Sequence, residues 1–146
     1  GVYLAGSGIA VYAYDQRGFG MAPRRGLWAG TDAYTADVRD FARQLRKRHP
    51  GVPLYLLGES MGGAIAMVTM ALDRPADVDG VILSAPAVWA RETMPWYQMR
   101  GKLPSRPGTR FGLYREGYHL LLRDLHAERV WRDIVAWVDA RGRSER

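Results

Sequence analysis

The chain contains no cysteine. That excludes disulfide staples and thiolate zinc sites, and it fits a reducing cytoplasm, the compartment expected here, without excluding others. No apolar run approaches the roughly 20 residues that a membrane span needs, so no integral membrane segment is expected. Residues 1–14 are moderately apolar, but no basic flank precedes them and they lead straight into Asp15-Gln-Arg-Gly18, which makes a poor signal peptide; the stretch reads better as a buried strand. The stretch opens on Gly1 rather than methionine, so a targeting segment ahead of it is unreadable from these residues. There are no internal repeats and no low-complexity tracts. Histidine occurs only three times, which keeps the candidates for a neutral-pH base few.

What is present is the balance of a globular domain, with 47% apolar and 25% charged residues over 146 positions. A single domain spanning 1–146 is expected, burying about two thirds of its unfolded surface. Lys and Arg number 21 against 15 Asp and Glu, a net charge of +6. The basic residues are scattered, as in Arg43, Arg46, Lys47 and Arg48 on one helix, and form no stripe. They read as a solvated surface, and no nucleic-acid partner is expected. An anionic surface held through net charge is the alternative, recognisable by affinity that falls steeply with salt.

Periodicity predicts an α/β order. Ile9–Tyr14 is β-rich and apolar on both faces, as in a parallel strand covered by helices. Residues 15–25 read as a loop. Thr31 or Asp32 can cap a helix to about His49, with Tyr34, Val38, Phe41, Ala42 and Leu45 on one face, and Pro50-Gly51 ends it. Residues 53–57 read as a short strand, 60–72 as a helix, and 78–84 as a third strand. Such alternation implies a parallel sheet with right-handed crossovers. Residues 85–110, with prolines at 86, 95, 104 and 107, read as loop. Phe111–Tyr114 reads as a fourth strand, and 127–140 as an amphipathic helix stopped by Gly142 and the charged tail.

Gly58-Glu59-Ser60-Met61-Gly62 matches G-x-S-x-G between a predicted strand and a predicted helix. That context is the nucleophile elbow, in which a tight, strained turn presents the serine. Positions 58 and 62 are expected to need small residues so that strand and helix can approach, and Gly63 and Ala64 extend the requirement. The Met61 N–H, at the positive end of the helix, would face an oxyanion formed on attack by Ser60.

A serine hydroxyl needs a base to take its proton. His49 precedes Pro50 at a helix end, where a capping or solvated role fits. His126 lies among Arg123, Asp124 and Glu128 and is expected to be exposed. His119 follows a predicted strand in a loop before a helix, the address expected of the base, in competition with an incidental histidine in a tyrosine-rich loop.

Val11-Tyr-Ala-Tyr-Asp-Gln-Arg-Gly-Phe-Gly20, Gly58-Glu-Ser-Met-Gly-Gly63, Ser84-Ala-Pro86 and Gly117-Tyr-His119, in that order, resemble the monoacylglycerol lipase and lysophospholipase branch of the α/β-hydrolases. The resemblance implies a three-layer α/β/α fold with a mostly parallel sheet. It implies ester hydrolysis through an acyl-enzyme, with Ser60 as nucleophile, His119 as base, Met61 as one oxyanion donor, and a small-molecule acyl ester as substrate. No cofactor and no metal are expected. Members are about twice as long. Their first strands and a His-Gly loop with the second oxyanion donor precede the equivalent of Gly1, and their cap, a further strand and the catalytic acid fall between about Gln98 and Lys102. The expectation is therefore a reduced core of about four strands without a full cap, with 85–110 as a cap or linker remnant carrying Trp89, Trp96 and Tyr97 as substrate contacts. Glu116 and Asp124 are the carboxylates near His119 in sequence, but neither follows a strand of its own. Open strand edges would allow self-association. The alternative is an inactive remnant that binds an acyl ligand or a partner chain.

Overall fold

The computed structural model of the chain describes residues 1–87, 109–110, 112–114 and 117–144. A short helix α1 (Val2–Gly6) precedes helix α2 (Thr31–Arg48), strand β1 (Tyr55–Glu59), helix α3 (Met61–Ala71) and strand β2 (Gly80–Ser84). A 3₁₀ turn (Leu121–Arg123) and the long helix α4 (Ala127–Ser144) follow.

Helix α2 forms where Tyr34, Val38 and Ala42 recur every four residues and are buried together. Asp32 in its first turn and Arg46, Lys47 and Arg48 in its last turn complement the helix dipole. The expected Thr31 or Asp32 cap is replaced by Gly30, at φ 91°, so Thr31 is already helical. The helix stops at His49 because Pro50 pushes the residue before it out of the helical region.

Strands β1 and β2 pair in parallel, from Tyr55 opposite Gly80 to Glu59 opposite Ser84. Alternation sends successive side chains to opposite faces. Leu54 and Leu56 therefore pack with Tyr34, Val38, Ala42 and Ile65 of α2 and α3. Tyr55 instead meets Trp137 of α4 edge-on at 5.5 Å, and Ile82 joins Val130 and Ile134 of the same helix. Small residues let α3 lie close to the sheet, and its buried Thr69 hydroxyl is satisfied by donating to the Ile65 carbonyl at 2.8 Å.

Asp79, just ahead of β2, ties several elements together. Its carboxylate accepts the Leu54 N–H at 2.6 Å and Arg46 Nη2 at 2.8 Å, and Arg141 Nη2 donates to its carbonyl at 3.3 Å. Burial alone would raise the carboxyl pKa. The Leu54 N–H and the Arg46 and Arg141 charges outweigh that and hold it below the usual value.

Two of the four predicted strands form the sheet. Residues 9–14 join no ladder among the described residues, and Val11 and Tyr12 are exposed. Residues 112–114 likewise join none, and position 111 lies outside the described residues. β propensity alone does not make a strand, because its N–H and C=O groups need a neighbouring strand to pair with. Gly142 does not stop α4, which runs to Ser144. One glycine costs a helix only about 1 kcal/mol relative to alanine. No helix among the described residues is long and apolar enough to cross a membrane.

Candidate active site

Ser60 alone separates β1 from α3, with φ 53° and ψ −119°. A side chain in such a region costs about 1–3 kcal/mol and persists only when its surroundings dictate it. They do so here. The Ser60 N–H donates to the Ser84 carbonyl at 3.0 Å, and the Ser60 carbonyl accepts the N–H groups of Ala87 at 2.9 Å and Ala64 at 3.2 Å. Ser84-Ala-Pro86 thereby acquires a role that its sequence alone did not reveal: the loop leaving β2 braces the turn. Ala85 in that loop is also left-handed, at φ 40°.

Close approach accounts for two of the three glycines. A Cβ on Gly58 would lie 2.6 Å from the Gly62 carbonyl oxygen, and one on Gly63 would lie 2.8 Å from Pro86 Cβ. Gly62 differs from the expectation, since a Cβ there would meet nothing within 4 Å. Side chains of the first helical turn splay outward around the axis, so only the positions facing the strand and Pro86 are crowded. Met61 opens α3, so its N–H has no acceptor within the helix and lies at the positive end of the dipole.

Among the three histidines, His119 is the one bonded to Ser60, with Oγ and Nε2 2.8 Å apart. With its proton on Nδ1, the imidazole accepts the Ser60 O–H at Nε2. His49 is bonded through Nε2 to the Tyr12 hydroxyl at 2.7 Å. His126 is exposed just before α4, where its carbonyl accepts the Arg129 N–H.

The segment carrying His119 is pinned on both sides. Asp124 accepts the Tyr118 N–H through Oδ2 and the Leu125 N–H through Oδ1, each at 2.6 Å. Beyond His119, Leu122 donates its N–H to Glu59 Oε1 at 3.1 Å and accepts Trp131 Nε1 at 3.1 Å. Asp124 therefore serves the main chain rather than the imidazole. Among the described residues no carboxylate is hydrogen-bonded or ion-paired to His119. Glu116, Trp89, Trp96 and Tyr97 lie outside the described residues.

Two features went unseen in the sequence. Glu59 counted there only as the variable position of the elbow, whereas its carboxylate reaches the 121–123 turn, a contact set by folding across 63 residues. In the loop after residue 14, Asp15 Oδ2 accepts the Met21 N–H at 2.8 Å, and Arg17 grips Asp37 of α2 through two bonds of 2.6 and 2.8 Å. The Asp15-x-Arg17 pattern was the available signal, but its long-range partner was not.

Residues 1–118 match the family described as serine aminopeptidase, S33. The chain belongs to that family. This S33 chain thus has an α/β-hydrolase fold, and its relatives place it in the monoglyceride lipase-like branch. It is 38% identical over 88 residues to human monoglyceride lipase, covering 60% of this chain and 29% of that protein. The mouse monoglyceride lipase is 35% identical over 88 residues, again 60% of this chain and 29% of the relative. A monoacylglycerol lipase of Mycolicibacterium smegmatis is 32% identical over 93 residues, 59% of this chain and 31% of the relative. The chain thus spans less than a third of each of these relatives.

Proposed function

We propose that this S33 chain hydrolyses carboxylic esters of the monoacylglycerol or lysophospholipid type, with Ser60 as nucleophile and His119 as general base. The observation that carries this is the 2.8 Å contact between Ser60 Oγ and His119 Nε2 at a strained turn heading a helix. The names of its relatives support the monoacylglycerol part of this reading. In the first half-reaction Oγ bonds to the acyl carbon while its proton passes to Nε2. The Met61 N–H receives the oxyanion, and the tetrahedral species collapses as Nε2 protonates the departing alcohol. In the second half-reaction His119 takes a proton from water, the hydroxide attacks the acyl-enzyme, and Ser60 leaves as its alcohol with the carboxylic acid released. The same reading takes 1–146 as one partial domain with a three-layer α/β/α core around the β1–β2 pair, whose open edges are available for self-association.

An alkyl fluorophosphonate probe tests it. Labelling should be strong in the wild type and absent in Ser60→Ala. Equal labelling of the two would end the proposal.

The second reading, an acyl-binding or partner-binding chain without turnover, is favoured by one observation: among the described residues no carboxylate orients His119. Removing the tautomer-fixing acid of a serine protease triad costs about 10⁴ in turnover. Hydrolysis of a short p-nitrophenyl ester that disappears in His119→Ala would eliminate this reading.

A further inference from the structure

We infer that Glu59 is a positioning residue, the strut that holds the His119 segment in register with Ser60; this rests on the ester-hydrolase reading above. Glu59 ends β1 and Ser60 follows it directly, so any group fixed to the Glu59 side chain is referenced to the same backbone that presents the nucleophile. Its side chain is only 14% exposed. Oε1 accepts the Leu122 N–H at 3.1 Å and the Ser84 hydroxyl at a longer 3.4 Å. Oε2 lies 3.9 Å from Arg123 Nε, whose side chain is 77% exposed, so that ion pair contributes little through solvent. The directional bond to Leu122 is what remains.

Leu122 stands three residues beyond His119 and inside the 3₁₀ turn whose internal bond runs from the Arg123 N–H to the Leu120 carbonyl. Fixing Leu122 therefore fixes the turn that His119 enters, and the Asp124 bond to the Tyr118 N–H fixes the residue before it. Without the Glu59 acceptor, the Leu122 N–H would lose a partly buried, charge-assisted partner, and the segment would keep its bonds to Asp124 and Trp131 but lose its direct tie to the strand that presents Ser60. Because Glu59 bonds neither to the imidazole nor to Ser60 Oγ, it acts on the pair through the backbone of the His119 segment.

The test compares Glu59→Ala, Glu59→Gln and Glu59→Asp. Gln keeps a carbonyl oxygen at the Oε1 position, whereas Asp keeps the charge but withdraws the oxygens by one methylene. A displacement of about 1 Å costs on the order of 10²-fold in rate. Ala and Asp should therefore lower kcat and the rate of fluorophosphonate labelling about 10- to 100-fold, with KM within about twofold. Gln should restore the rate to within about threefold of wild type. Independently of turnover, Leu122 amide hydrogen exchange should accelerate about tenfold in Ala and Asp and not in Gln. If Glu59→Ala fails to fold, Asp against Gln decides the matter. Wild-type rates and unchanged Leu122 exchange in Asp, or loss in Gln equal to that in Asp, would overturn the inference. Absence of Ser60-dependent labelling in the wild type would instead overturn the ester-hydrolase reading, and the Leu122 exchange would still decide whether the strut exists.

Discussion

Two glycines of one motif should respond with opposite sign to the same substitution. In Gly58→Ala the new methyl would lie 2.6 Å from the Gly62 oxygen, 2.7 Å from the Gly62 carbonyl carbon and 2.8 Å from Gly63 Cα. All three atoms are backbone, so relief requires shifting α3 away from β1. Overpacking of this kind costs about 1–3 kcal/mol. In Gly62→Ala the methyl enters open space in the first turn of a helix. Removing glycine's freedom from the unfolded chain there stabilises by about 0.4–1 kcal/mol. At about 2–4 °C per kcal/mol for a chain of this size, Gly58→Ala should melt about 2–12 °C below wild type and Gly62→Ala about 1–4 °C above it. Thermal unfolding followed by far-UV circular dichroism, repeated as urea titrations with matched slopes, measures both. Equal destabilisation by the two substitutions, or a neutral Gly58→Ala, would refute the packing argument.

Asp79→Asn should cost about 1.5–3 kcal/mol by removing the charge from its bonds with Arg46 and Leu54. Because the folded carboxyl titrates below its usual value, its contribution is present above the ordinary carboxylate range and is lost as pH falls through the folded value. Urea midpoints of wild type and Asp79→Asn should therefore converge in acid, and a gap that persists there would contradict the assignment. Tyr114 donates to Asp133 Oδ2 at 2.6 Å, and burial together with that bond pushes its pKa from the ordinary 10.0 up to about 12. Its stabilisation is complete below the unfolded value and disappears as pH rises through the folded one. Ultraviolet titration of phenolate absorbance should lose one tyrosine's share of its late-ionising amplitude in Tyr114→Phe, while the share of Tyr14, whose pKa burial also raises, remains; an unchanged curve would dismiss the assignment.

The three long helices were legible because each carries its own evidence, whereas α1 was not: residues 2–6 form a helix inside a stretch expected to be a buried strand. The four-residue recurrence of Tyr34, Val38 and Ala42 names the buried face of α2, and the Val130 and Ile134 pair does so for α4. The strands were legible only where a partner exists: 55–59 and 80–84 find each other, whereas the equally β-rich 9–14 finds none among the described residues. In the site, Ser60 could be read from local spacing, and the position of His119 in chain order pointed to the segment that the fold brings against it. The bonds from Ser84, Ala87, Glu59 and Asp124 could not, because each depends on where distant backbone arrives. The difference between Gly62 and Gly63 was equally hidden. It is decided by Pro86, whose place over the helix no local pattern reports.

Since the amide and the carbonyl of residue 60 are both tied to the stretch leaving β2, the Ser60 hydroxyl is mounted on the neighbouring strand as much as on its own. A one-residue slip of β2 against β1 would move that mount by about 3.3 Å and turn the side chains of β2 to the opposite face. Substitutions that disturb the pairing of these two strands are thus edits to the position of the hydroxyl, even where they touch none of the residues around it.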